Sequence, residues 1–189
     1  VLEPSGDSLQ LRDFLNDALL LQLKGEPLDA TIEALGPDKA AICLDGKHVD
    51  LWDLKTKKKL KSVEYPTRVV GLTADRQGKQ LMVADDNIRF GLLDVDTWSI
   101  RWALTPNDPG HTQGIRSGKF SRDGRFFMTA GDDDSAALWD TRTGSRLALF
   151  TGHAQSVVDA DITADGTRVA TASDDQTVRL WDAKTGLEI

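Results

Sequence analysis

The sequence predicts an all-β chain built from repeated, four-stranded antiparallel sheets. Three observations predict it: a Leu-Trp-Asp signature that recurs near every 42 residues, short runs of alternating side chains, and Asp-Gly or Thr-Gly turns between them. Composition agrees. With 40% hydrophobic and 28% charged residues, the 189-residue chain can bury a core and is not a disordered segment.

The signature stands at Leu51-Trp52-Asp53, Leu138-Trp139-Asp140 and Leu180-Trp181-Asp182, with Leu93-Asp94 between the first two. Steps from Trp52 to Leu93, Trp139 and Trp181 are 41, 46 and 42 residues. Arg12-Asp13 lies 40 residues before Trp52 and is followed, at matching offsets, by Asn16-Asp17, Leu20, Leu23 and Gly25-Glu26. The long step has a local cause, an insertion at Thr105-Pro106-Asn107-Asp108-Pro109, whose composition is that of a loop. The expected divisions are the end of one sheet (strands c and d) at 1-25, degenerate repeats at 26-63 and 64-104, a well-formed repeat at 105-150, and another at 151-189 that lacks its last strand.

Each element follows from this register. In the last repeat, Val157–Ile162 is strand a, Ala164-Asp165-Gly166 a turn, and Arg168–Ala172 strand b; Asp174-Asp175-Gln176 turns into Thr177–Trp181, strand c, and Lys184-Thr185-Gly186 closes the unit. Ala18–Leu23 is dense in leucine and read alone suits a helix, but it falls on a fourth-strand position, so a strand is expected.

These residues resemble the WD-repeat (WD40) family, whose β-propellers arrange four-stranded blades around a channel. Gly110–Asp140 and Gly152–Asp182 carry every landmark: Gly-His, the turns Asp123-Gly124 and Asp165-Gly166, and Trp-Asp 28 residues after the His. Earlier repeats depart from the pattern, with Glu26 at the His position and Leu93 at the Trp position. The two closely similar C-terminal repeats suit a bacterial member. The chain holds about 4 to 4.5 units where such propellers close with about seven. A fragment completed by further blades, or two half-rings pairing as a homodimer, is therefore expected.

The resemblance implies a hydrogen-bonded tetrad in each well-formed repeat: Thr129, His111, Asp133 and Trp139, then Thr171, His153, Asp175 and Trp181. A buried indole needs an acceptor, and imidazole bridges hydroxyl to carboxylate. Thr, His and Asp also compose a nucleophile triad, but a network repeated at a fixed period is not a unique active site, and the expectation is a structural role and no enzyme.

Function classes narrow by exclusion. A net charge of -7, from 23 basic and 30 acidic residues, argues against nucleic-acid or anionic-membrane binding. No apolar run approaches the ~20 residues of a membrane helix. The single Cys43 excludes an intrachain disulfide and a Cys-based zinc site, and His48 stands alone on a strand-like segment; no metal, cofactor or Walker-type motif is expected. Val1–Asp7 carries neither Met nor a secretory layout, which suits a processed or truncated piece. The sequence slightly favours the cytoplasm and leaves a bacterial envelope attachment open.

The basic run Lys55–Lys61 reads as an outer edge kept from pairing, in preference to an acidic-partner patch. Asp85, Asp86, Asp132, Asp134 and Asp174 form the expected ring of negative charge at one turn in successive repeats, which the resemblance places on the top face beside the channel mouth. Trp98 and Trp102 match no family Trp, Trp98 standing where the turn Gly belongs; core filling and an exposed anchor for a partner are equally compatible. The expected function is a non-catalytic scaffold that binds a protein or peptide, basic in character, on the acidic face. The alternative is a sensor or scaffold module of a larger bacterial protein, anchored at the envelope or fused to a catalytic domain.

Overall fold

The computed structural model describes residues 2–5, 8–12, 19–24, 30–104 and 110–189. Every regular element among them is a strand, and adjacent strands of each sheet run antiparallel in chain order. Two compact units divide the chain, residues 1–72 and 73–189.

The first unit opens with β1 (Leu2–Ser5), β2 (Ser8–Arg12) and β3 (Leu19–Lys24), a three-stranded sheet. The expectation of two strands is corrected here. Leu2–Ser5 pairs with Ser8–Leu11 as a further hairpin strand, although Pro4 argues against a strand; Pro is tolerated because β1 is an edge. Of the Ala18–Leu23 run, Ala18 lies outside the described residues and Leu19–Leu23 forms part of β3, a strand as expected. The second sheet comprises β4 (Thr31–Ala34), β5 (Lys39–Cys43), β6 (His48–Asp53) and β7 (Lys58–Glu64). Leu21 of β3 and Ala40 and Ile42 of β5 form one buried cluster, with Leu23, Ile32 and Trp52 packed around them.

Next come β8 (Val69–Ala74), β9 (Gln80–Asp85), β10 (Phe90–Asp94) and β11 (Ser99–Ala103), in the sheet order β11-β10-β9-β8. The second unit continues with β12 (Ile115–Phe120), β13 (Phe126–Gly131), β14 (Ser135–Asp140) and β15 (Arg146–Thr151) in one sheet. It ends with β16 (Val157–Ile162), β17 (Arg168–Ser173) and β18 (Val178–Asp182), a three-stranded sheet whose β18 is flanked by a single Trp181–Glu188 bridge.

Sheet-to-sheet packing buries the core of the second unit. Phe90 meets Trp139 edge-on at 4.9 Å and Phe127 at 5.7 Å, and Met82, Leu92 and Leu104 surround them. Phe150 lies against Trp181 at 5.8 Å, in a cluster that joins β13 and β14 to β16 and β17. Each Trp of the signature is thus the large side chain of a seam between sheets. Fully burying aromatic side chains of this size contributes about 1.5–3 kcal/mol or more each.

A register shift between strands c and d recurs in four sheets: at Leu11/Arg12, Leu51/Trp52, Leu92/Leu93 and Leu138/Trp139. The bulge falls at the signature position every time, even where the residue is Arg12 or Leu93. The Asp that follows Trp caps the next turn. Asp53 accepts Thr56 N–H at 2.7 Å, Asp94 accepts Thr97 N–H at 2.9 Å, Asp140 accepts Thr143 N–H at 2.9 Å, and Asp182 accepts Thr185 N–H at 2.8 Å. These amides hold Asp53, Asp94 and Asp182 below the usual carboxylate range.

Candidate functional site

Thr129 sits on β13 and Trp139 on β14, both facing the seam, while His111 arrives from the segment before β12. Trp139 Nε1 donates to Thr129 Oγ1 at 2.9 Å, Thr129 Oγ1 meets His111 Nε2 at 2.8 Å, and His111 Nδ1 meets Asp133 at 2.9 Å. The carboxylate fixes the order: Asp133 can only accept, so the Nδ1 that faces it carries the imidazole proton, and in the neutral ring Nε2 accepts from the Thr129 hydroxyl, whose oxygen takes the indole N–H. Ser135 Oγ and Thr112 N–H add 2.7 and 2.8 Å bonds to Asp133. Burial alone pushes the Asp133 carboxyl up, yet the bonds from Ser135, His111 and Thr112 together hold it below its ordinary value.

The next sheet repeats the series. Trp181 Nε1 donates to Thr171 Oγ1, which meets His153 Nε2, each at 2.8 Å; His153 Nδ1 meets Asp175 at 2.8 Å. Asp175 accepts the Thr177 hydroxyl at 2.6 Å and the Ala154 N–H at 3.0 Å. The Thr177 hydroxyl is the main cause of the lowered Asp175 carboxyl, supported by the Ala154 amide and His153 against partial burial. Thr129 and Thr171 are 1% and 2% exposed and each already holds an indole, so neither hydroxyl has the access that a nucleophile needs.

Beyond Asp133 and Asp175, the b–c turns carry further carboxylates. Left-handed residues set their register: Ile88 (φ 64°), Asp134 (φ 61°) and Gln176 (φ 69°) are equivalent. Asp86, Asp132 and Asp174 are therefore equivalent too, each two residues earlier. Asp85 is not part of that set and is corrected accordingly. It takes the place of Gly131 and Ser173, its side chain is 8% exposed, and it accepts Asn87 and Arg89 N–H at 2.9 and 3.0 Å. Within the proposed acidic ring stands a cation: Arg116 on β12 pairs with Asp132 at 2.5 Å. That bond lowers the Asp132 carboxyl and, with the charges of Asp132 and Asp174, raises the Arg116 guanidinium. Asp86 and Asp174 remain exposed.

The two unmatched tryptophans are not exposed anchors. Trp98 is 6% exposed and holds the left-handed turn position, φ 57°, that Gly144 and Gly186 hold elsewhere. Trp102 donates its indole N–H to the Thr141 carbonyl at 2.8 Å, lies edge-on to Phe90 at 6.2 Å, and packs so close to Gly144 that an added Cβ there would stand 2.7 Å from the ring. Both fill the second unit's core because their strand and turn face inward. The sequence left the two roles open, and the signal that decides them was present: added aromatic bulk in the repeat that has Leu93 in place of Trp.

His48 is exposed and held by the Asp45 carboxylate, which raises its imidazole above the ordinary value. Burial pushes the Cys43 thiol up to about 11. Among the described residues no three His, Cys, Asp or Glu side chains cluster as metal ligands, and no helix is long and apolar enough to cross a membrane. Of the Lys55–Lys61 run, Lys55 pairs with Asp38 at 2.8 Å and Lys59 with Asp50 at 3.1 Å. Glu26, Asp13 to Ala18 and the Thr105–Pro109 insertion lie outside the described residues.

The repeat geometry meets its match in a family model described as WD domain, G-beta repeat, which fits residues 103–140 and 144–182. The chain carries WD40 repeats. Two relatives, each described as a guanine nucleotide-binding protein subunit beta, are similar to it: one from Zea mays, 35% identical over 108 residues, and one from Oryza sativa subsp. japonica, 34% identical over 108. Each match covers 53% of this WD-repeat chain and 28% of the relative, so the chain spans little more than a quarter of their length. The matched residues cover β12–β18, and the four-stranded antiparallel sheets β4–β7, β8–β11 and β12–β15 are consistent with blades of the WD-repeat type.

Proposed function

We propose that this WD-repeat chain is a non-catalytic interaction platform that holds a basic protein or peptide partner at the b–c turn end of its sheets. The observation that carries the reading is the recurrence of a carboxylate at one turn position in three successive sheets, Asp86, Asp132 and Asp174. A stacked repeat multiplies one surface feature into a spaced row, which suits recognition of an extended chain. The relatives are described as subunits, which supports a role within a protein assembly. The tetrads support it differently: with their hydroxyls consumed by buried indoles, they serve as internal ties and leave the turn carboxylates as the groups open to a partner.

Arg116 refines the earlier expectation. A partner cation engages Asp174 and Asp86 directly but competes with Arg116 for Asp132. The test is fluorescence anisotropy with a lysine-rich peptide at low and physiological salt, on the wild type and on D86K/D174K. Affinity is expected to fall about tenfold in the variant and to weaken with salt, because rim charges act through screened attraction. Equal affinity in the two proteins would remove the acidic face from the mechanism.

A further inference from the structure

The a–b turns lie at the opposite end of the same sheets from the b–c turns. In the second unit they are in register: Gly78, Gly124 and Gly166 each donate their N–H to the residue three before, Asp75, Ser121 and Thr163. Arg76, Arg122 and Ala164 are thereby equivalent. Arg76 and Arg122 are exposed and form no ion pair among the described residues, in a chain whose net charge is -7. Both line one concavity of about 510 Å³, together with Phe120, Ile162, Ala164 and Lys119. Lys119 is already committed to Asp159 at 2.6 Å, and Asp161 is the one carboxylate on the wall. Phe120 is braced edge-on against Phe127 at 4.8 Å, and Ile162 is 8% exposed, so the apolar part of the wall is fixed.

We propose that this concavity is a second docking site and takes an acidic peptide segment of a partner protein. Carboxylates engage Arg76 and Arg122, and an apolar side chain between them rests on Phe120 and Ala164. The choice of occupant follows from charge and shape. A nucleic acid needs several phosphate contacts and would meet the repulsion of a net acidic chain, whereas two guanidiniums on separate turns, with an apolar wall between, match two spaced carboxylates. The proposal stands independently of the acidic face, since it uses other residues at the other end of the sheets.

The test is selection of a phage-displayed random dodecapeptide library on the full chain, followed by calorimetry with the most enriched peptide. Enrichment of carboxylate-rich peptides with an interposed apolar residue is expected. Affinity should fall at least about tenfold in R76E/R122E and hold in D86K/D174K, as for an interface set by local charge complementarity. R76Q/R122Q, which adds no repulsion, should show a smaller loss, and the thermal melt of these exposed-turn variants should match the wild type. The proposal is overturned if no acidic peptide is enriched, if R76E/R122E binds the selected peptide equally, or if inorganic phosphate or a single-stranded oligonucleotide displaces it at comparable concentration.

Discussion

The sheets β12–β15 and β16–β18 hold their seams differently from β4–β7 and β8–β11. In the first pair a Thr on strand b ties a buried indole to His and Asp, at 2.8–2.9 Å per link. By strand pairing, the residues equivalent to Thr129 and Thr171 are Ile42 and Val83, and in β8–β11 Leu93 stands where the others have Trp. The β8–β11 version is apolar throughout at these positions. The β4–β7 version is mixed: Trp52 is retained, but its buried Nε1 has no hydrogen-bond partner among the described residues. One backbone thus accepts at these two positions either a Thr bonded to an indole or an apolar pair, and a buried donor left without an acceptor costs about 1–3 kcal/mol.

The largest test of this comparison is Thr171→Val. It is nearly isosteric and strands both the Trp181 indole and the His153 ring, so the last sheet should lose about 2–5 kcal/mol, read as faster amide exchange in β17 and β18. A loss below about 0.5 kcal/mol would mean the series is decoration on an apolar seam. Next is Val83→Thr, which places a hydroxyl among Leu81 and Leu93 with no imidazole to receive it. A cost of about 1–3 kcal/mol in urea unfolding is expected. Ile42→Thr is the sharpening counterpart. It loses apolar contact but gives the Trp52 N–H an acceptor, so its net effect should stay within about 1 kcal/mol of zero. If Ile42→Thr costs as much as Val83→Thr, the waiting indole is irrelevant.

The smallest effect is on pH dependence. Asp133 and Asp175 have folded carboxyls below their unfolded values, so their contribution to stability is fully present above the unfolded value near 4 and is lost as pH falls through it toward the folded one. The acid limb of the stability curve should be shallower in Asp175→Asn than in the wild type. Equal slopes in the two would detach this carboxylate from the seam.

How far the sequence led differs by residue. Trp139 and Trp181 were legible because the same types recur at a fixed spacing, and their Thr, His and Asp partners followed from the resemblance to WD repeats that this spacing carries. Asp85 was misread because adjacent carboxylates look alike in a string; only the left-handed residue that follows says which one faces the turn interior. Trp98 and Trp102 were undecided for a related reason. An indole in a turn or on an edge strand is an anchor or a plug according to what the neighbouring sheet leaves open, and the hole beside Gly144 is made by a strand some forty residues away.

The sequence by itself determined the all-β architecture and the repeat register, because strand periodicity, turn chemistry and the spacing of Trp-Asp are local properties, and its resemblance to WD repeats implied where the polar ties stand. Only the tertiary structure decided that Arg116 sits within the acidic row, that the two extra tryptophans are interior, and that Arg76 and Arg122 share one concavity. Those facts depend on which strands of different sheets come to lie side by side, and side-chain partners across a seam are set by packing in space rather than by separation along the chain.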